Sequence, residues 1–257
     1  MPASGISLYI HWPFCASKCP YCDFNSHVAD SVDHHRWRRG LLAELGYFAN
    51  ETKGRQLTSI FFGGGTPSLM EPETTAALIE AAKTHWQPVD GLEITLEANP
   101  STAETKRFQA FRDAGVNRLS LGVQSFRDSY LGFLGRGHSA AEAMDAIRLA
   151  AATFSRFSFD LIYGLPGQTA DDFGQDLDQA LQLARGHLSV YQLTIEPGTA
   201  FHRDAVVAAN EDTGAEMYEM CQQRLTVAGM PAYEVSNHAG PGKECRHNLE
   251  IWRGGDY

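Results

Sequence analysis

Short apolar runs and longer segments of helical period alternate along the chain. Residues 7–12 read as a buried strand, 33–50 as a helix, 59–62 as a strand and 73–86 as a helix. The rhythm repeats in 92–97 with 103–114, 118–123 with 140–152, 157–163 with 170–184, and 188–195 with 211–228. Six strand–helix units in series predict an α/β fold of parallel strands with right-handed crossovers, either an open doubly wound sheet or a barrel. Only the architecture repeats; the residues do not.

Linker-like punctuation first comes at residues 238–243, His-Ala-Gly-Pro-Gly-Lys. Residues 1–236 are therefore expected to form one domain and 237–257 a short tail, too small for a core of its own. A length of 257 residues suffices for a single α/β barrel, and 43% hydrophobic with 20% charged residues excludes a disordered or low-complexity chain. The formal charge of −10 opposes attraction to nucleic acid or anionic lipid. No run has the length of a membrane span, and Met1-Pro2-Ala3-Ser4-Gly5 has neither the basic start nor the apolar run of a signal peptide, so the expected location is the cytoplasm.

Three of the five cysteines, Cys15, Cys19 and Cys22, crowd into one loop directly after the first strand. In a parallel α/β architecture that is the carboxyl edge, where active sites gather. A zinc site is not indicated, because a second Cys-x-x-Cys and a His pair at finger spacing are missing. Three thiolates can hold three irons of a cubane cluster and leave the fourth open to an outside ligand. Cys-x-x-x-Cys-x-x-Cys, with Tyr21 just before the third cysteine, resembles the signature of the radical S-adenosylmethionine proteins. In that family the methionine end of the cofactor chelates the open iron.

Other positions suit such a ligand. Phe62-Gly63-Gly64-Gly65-Thr66-Pro67 ends the second strand, where glycine permits close backbone approach, or simply makes a turn. Glu97, Gln124 and Asp160 lie in or just after successive strands, and each suits either a ligand contact or a cap. Arg136, in Leu134-Gly135-Arg136-Gly137-His138, is placed to pair a carboxylate or to point into solvent.

Six segments from Tyr9 to Thr199 carry a closer resemblance. They are Tyr-Ile-His-x-Pro-Phe-Cys, Cys-Pro-Tyr-Cys-Asp-Phe-Asn-Ser-His, Gly-Gly-Gly-Thr-Pro, Gly-Val-Gln-Ser-Phe, Asp-Leu-Ile-Tyr-Gly-Leu-Pro-Gly-Gln and Tyr-Gln-Leu-Thr-Ile-Glu-Pro-Gly-Thr. Together they resemble the oxygen-independent coproporphyrinogen III oxidase group and, within it, the HemW-type haem chaperones. The resemblance implies a partial, three-quarter (β/α)6 barrel with a short C-terminal tail. It implies a 4Fe-4S cluster on Cys15, Cys19 and Cys22, with S-adenosylmethionine touching Tyr9, Tyr21, Gly64, Gly65, Thr66, Glu97, Gln124, Arg136, Asp160 and Thr194. The oxidases carry a fourth cysteine two positions beyond the third and a long N-terminal extension. Phe24 stands at the first of these places and eight residues precede Tyr9, as in the chaperones.

Near the end, Arg246-His247-Asn248-Leu249-Glu250-Ile251-Trp252 resembles the His-Asn-x-x-Tyr-Trp segment of the chaperones, with Ile251 in place of Tyr. By that resemblance His247 is the haem candidate; Cys245, His11, His27, His34, His35 and His138 are competitors. The family continues beyond this motif into a helical C-terminal domain, which is expected to be absent here. The expected function is haem chaperoning, with haem or a porphyrin, an acceptor protein and an electron donor as partners. The alternative is radical oxidative decarboxylation of coproporphyrinogen III, and a third class is a plain iron–sulfur electron carrier.

Overall fold

The computed structural model describes residues 5–29 and 31–257. The opening tetrapeptide, on which the reading of a missing leader rests, lies outside them. Strand β1 (Gly5–Trp12) runs into a loop carrying two short paired strands, β2 (Phe14–Cys15) and β3 (His27–Val28). Helix α1 (His34–Glu51) follows, then β4 (Gln56–Gly64), α2 (Pro72–His85) and β5 (Gln87–Ala98). The short helices α3 (Thr102–Thr105) and α4 (Phe108–Asp113) lead to β6 (Arg118–Gln124), and α5 (Asp128–Phe133) and α6 (Ala140–Thr153) lead to β7 (Arg156–Tyr163). The chain closes with α7 (Ala170–Leu183), β8 (His187–Gln192), α8 (Ala200–Arg203), α9 (Glu211–Val227), β9 (Asn237–Ala239) and α10 (Arg246–Trp252).

The sheet order β1-β4-β5-β6-β7-β8-β9 bears out the α/β expectation. The first six of these strands are parallel, and β9 is antiparallel on β8. Among the described residues β1 pairs only with β4, so the sheet has two ends, as a partial barrel does. No helix of the described residues is long and apolar enough to cross a membrane.

Period-two alternation divides the strands into two faces. Ile60 and Phe62, Ile94 and Leu96, Leu119 and Leu121, Phe157 and Phe159, and Leu188 and Val190 are buried in one apolar core with helix residues such as Leu78, Ile147 and Leu177. Of the residues between them, Thr95, Ser120, Ser158 and Ser189 are polar and Phe61 is aromatic, and polar side chains bond across strands on this inner face. Ser7 meets Ser59 at 2.8 Å, Arg118 donates to Ser158 at 2.9 Å, and Ser189 donates to Asn237 at 2.7 Å.

Three departures from the expected elements have identifiable causes. The helix read over 103–114 is split into α3 and α4, because Glu104 and Arg107 are drawn into tertiary bonds. Glu104 accepts from Ser68 Oγ and from the Asn99 amide, and Arg107 donates to the carbonyls of Ser68 and Met70. Helices α5 and α8, of six and four residues, are too short for periodicity to reveal. The strand read to 195 ends at Gln192, after which the Leu193 amide turns to the Tyr163 carbonyl at 2.8 Å.

Residues 237–257 are bonded into the sheet. β9 pairs with His187–Ser189, and α10 packs on the inner face. The α10 N-terminus donates from the Arg246 amide to Glu93 Oε1 at 2.7 Å, while Arg156 pairs Glu93 at 3.0 Å and donates to the Glu244 carbonyl at 2.7 Å.

Candidate functional site

The carboxyl ends of the strands enclose a cavity of about 660 Å³. Cys15, Cys19 and Cys22 line it from the loop after β1, and Gly64, Gly65 and Thr66 from the end of β4. Glu97, Gln124, Arg136, Asp160, Tyr21 and Thr194 complete the expected set. Of the ten positions expected to touch a cofactor, only Tyr9 is outside this lining. Its ring stacks instead on Phe61, centroids 6.1 Å apart, and burial pushes its phenol up to about 12.

Each thiol has its own neighbour. Thr66 Oγ1 donates to Cys15 Sγ at 3.5 Å, Arg136 Nη1 donates to Cys19 Sγ at 3.4 Å, and Cys22 Sγ lies 4.0 Å from Ser26 Oγ. Burial pushes the Cys15 thiol up against the hydrogen bonds from Thr66 and Ser26. Among the described residues no group of three His, Cys, Asp or Glu side chains has the arrangement of a metal-ion site.

The glycines serve the cysteine loop. A Cβ on Gly65 would lie 2.7 Å from the Phe14 carbonyl oxygen and 2.9 Å from Pro13 backbone, atoms that cannot swing aside. Gly64, at φ +114°, would meet the His11 ring at 2.7 Å. The amides of Gly65 and Thr66 are committed to the Trp12 and Phe14 carbonyls at 2.7 and 2.8 Å. The triplet therefore lets one strand end dock against the loop that carries the thiols.

Gln124 ends β6 at φ +74°, a backbone region costly for a side chain with a Cβ, at a shift of register against β7. Its Oε1 is buried with no partner. The same holds for Asp160 Oδ1 and for Arg136 Nε. Arg136 is otherwise held by Asn99 Oδ1, by the Gly122 carbonyl at 2.7 Å and by Cys19. It lines the cavity and is not a solvated loop arginine. Glu97 is pushed up to about 8 by burial and then by Asp160, and Asp160 is pushed up to about 6 by burial. Burial also raises the Tyr21 phenol, with Arg136 opposing.

The cavity has further walls, of which the sequence had singled out only His138, and that as a haem competitor. Asn99, Ser120, His138, Tyr191, Gln192 and Glu196 also line it. His138 Nε2 donates to the Val123 carbonyl at 3.1 Å, and the ring is held down to about 4 by burial and Arg136. Asn99 had a signal in the sequence: it precedes Pro100, which restricts its backbone, and follows Glu97 by two positions on the strand end.

His247 stands apart from this cavity. It is 3% exposed on the inner face, its ring stacked on Phe61 at 4.9 Å and its Nδ1 3.5 Å from Ser59 Oγ. Burial holds it down to about 4. Cys245 is fully buried at the start of α10.

Comparison with known proteins gives consistent relatives. The model of the Radical SAM superfamily matches residues 9–180. "Heme chaperone HemW" of Haemophilus influenzae is 46% identical over 258 residues, covering 98% of this chain and 67% of that protein. The Escherichia coli protein of the same name is 45% identical, with the same coverage. "Radical S-adenosyl methionine domain-containing protein 1, mitochondrial" of Bos taurus is 42% identical, with 60% of its length covered. This chain thus spans about two thirds of the bacterial relatives. Among solved structures, coproporphyrinogen III oxidase (HemN) from Escherichia coli superposes with a TM-score of 0.83 at 25% identity, over 99% of this chain and 59% of that one.

Proposed function

The chain belongs to the Radical SAM superfamily and, within it, to the group of the HemW proteins, and on that premise we propose a haem chaperone dependent on a cluster and S-adenosylmethionine. Cys15, Cys19 and Cys22 hold a 4Fe-4S cluster in this reading, the cofactor lies along the strand ends, and haem passes to an acceptor protein. It works in the cytoplasm.

The residues present fit these groups. One observation carries the reading: the cavity that holds three thiols also holds three buried polar atoms without partners. Arg136 Nε is a donor suited to a carboxylate; Gln124 Oε1 and Asp160 Oδ1 are acceptors suited to hydroxyl or ammonium groups. An electron carrier would leave all three unmatched at a cost of ~1–3 kcal/mol each. When bound, the cluster supplies one-electron reduction and S-adenosylmethionine a reducible sulfonium.

The chain's own part is to bind and orient. Arg136 takes the carboxylate end, Gln124 and Asp160 the hydroxyls, and Glu97 gives up its proton when an ammonium group arrives, since an adjacent cation favours the ionised carboxylate. His247 becomes a haem ligand only if α10 leaves the inner face, because its imidazole is enclosed there. Haem uptake in this reading is therefore coupled to opening of α10. The identity to the HemW proteins favours chaperoning over the oxidase chemistry of the more distant HemN.

The test is anaerobic reconstitution, then titration with S-adenosylmethionine and with haem, alongside carbon dioxide release from coproporphyrinogen III. The expected result is a cluster lost on Cys19→Ala, a spectral response to S-adenosylmethionine, near-stoichiometric haem uptake weakened by His247→Ala, and no carbon dioxide. Decarboxylation without tight haem binding would overturn the chaperone reading.

A further inference from the structure

Asn99 has no part in the binding roles assigned above, yet its single amide joins the partners of two thiols. Its Nδ2 donates to Thr66 Oγ1 at 3.3 Å, and Thr66 Oγ1 in turn donates to Cys15 Sγ at 3.5 Å. On the other side its Oδ1 accepts from Arg136 Nη2, while Nη1 of the same guanidinium donates to Cys19 Sγ at 3.4 Å. The amide has only one workable orientation. A guanidinium offers no acceptor, so Oδ1 must face it, and Nδ2 then faces the hydroxyl. Having received that hydrogen, the hydroxyl directs its own proton to sulfur.

The hub is itself held. The Asn99 backbone N–H donates to Glu104 Oε2 at 2.8 Å, and buried Glu104 also accepts from Ser68 and Ser101. Gly122 leaves the room: a Cβ there would lie 3.2 Å from Arg136 Nη2 and 3.5 Å from Asn99 Oδ1. Cys22, near Ser26, lies outside this network.

We propose that Asn99 is a positioning residue that aims Thr66 and Arg136 at the sulfurs of Cys15 and Cys19, and so sets the reduction potential of the cluster those thiols hold. The inference rests on the cluster reading above. A donor to a ligating sulfur stabilises the more negative, reduced cluster and raises its potential. Losing the amide relaxes both donors at once.

The experiment is a potentiometric titration, followed by electron paramagnetic resonance, of the reconstituted full chain without S-adenosylmethionine. Wild type, Asn99→Ala, Thr66→Val and the double variant form a cycle. Asn99→Ala is expected to lower the midpoint potential, and Thr66→Val to lower it in wild type but by much less once Asn99 is gone. If Asn99→Ala does not assemble a cluster, Asn99→Asp takes its place. It keeps the acceptor for Arg136 and loses only the donor to Thr66, and the cycle cancels the effect of its charge. An unchanged potential in the Asn99 variant, or equal Thr66→Val shifts in both backgrounds, overturns the inference while leaving the cluster reading intact. A wild-type chain that takes up no cluster overturns both.

Discussion

Glu97, near the end of β5, is raised by burial and then by the charge of Asp160 within β7, whose own carboxyl is raised by burial. Because Glu97 is raised from 4.5 to about 8, the folded chain binds more protons than the unfolded one in that window, and stability falls as pH rises through it. Glu97→Gln is therefore expected to stabilise the ligand-free protein by ~1–3 kcal/mol at pH ~9 and not at pH ~4, while weakening S-adenosylmethionine binding at least tenfold. Urea unfolding at the two pH values and calorimetric titration check the pair of effects. His247 has the opposite sign. Held down to about 4 from 6.5, it is less protonated when folded, so the stability present above 6.5 is lost as pH falls toward 4. His247→Phe keeps a ring on Phe61 and is expected to flatten that loss, as read by the urea midpoint from pH 7 to 4. The sequence placed Cys15, Cys19, Glu97, Gln124 and Asp160 by residue type and position in or after a strand, and all five line the cavity. The role of Asn99 was not legible there, since its two side-chain partners are 33 and 37 positions away.

Among elements, the glycine-ended β4 and the cysteine loop depend on one another. Gly65→Ala puts a methyl group against fixed Phe14 and Pro13 backbone, so the loop must shift. The expected outcome is loss of cluster assembly, measured as iron and sulfide per chain, with the far-ultraviolet circular dichroism of the sheet and helices retained. Long helices were visible in the sequence because their ends are signalled locally. Ser139 and Glu142 form a capping box on α6, and Thr169 and Asp172 one on α7. The split between α3 and α4 carried no such signal, because Glu104 and Arg107 bond to residues brought in by the fold.

Over the whole molecule, the apolar outer face packs helices and the polar inner face presents chemistry. The lower part of that inner face is filled by α10, anchored at Glu93. Removing this carboxylate strands Arg156, which is only about a quarter exposed. Glu93→Ala is expected to cost ~3–5 kcal/mol, as for a buried ion pair missing one partner. Urea unfolding gives the cost, and limited proteolysis is expected to cut first between β9 and the end of the chain. The same loosening gives an independent handle on haem access to His247.

The sequence by itself determined the succession of strands and helices, the parallel sheet, the cysteine loop at its carboxyl edge and the thiols and strand-end polar residues that line the cavity. Those features follow from local periodicity, caps and residue type at strand ends, which act over a few positions. Only the tertiary structure decided that 237–257 joins the sheet, that His247 is enclosed beneath the cavity, and that Arg136 turns inward onto Cys19. Each of these depends on a partner far along the chain: His187–Ser189 for β9, Phe61 for His247, and Asn99 with Gly122 for Arg136. A three-residue strand or a lone arginine has no periodicity to announce it, and its place is set by the unpaired donors and acceptors that the folded chain brings to meet it.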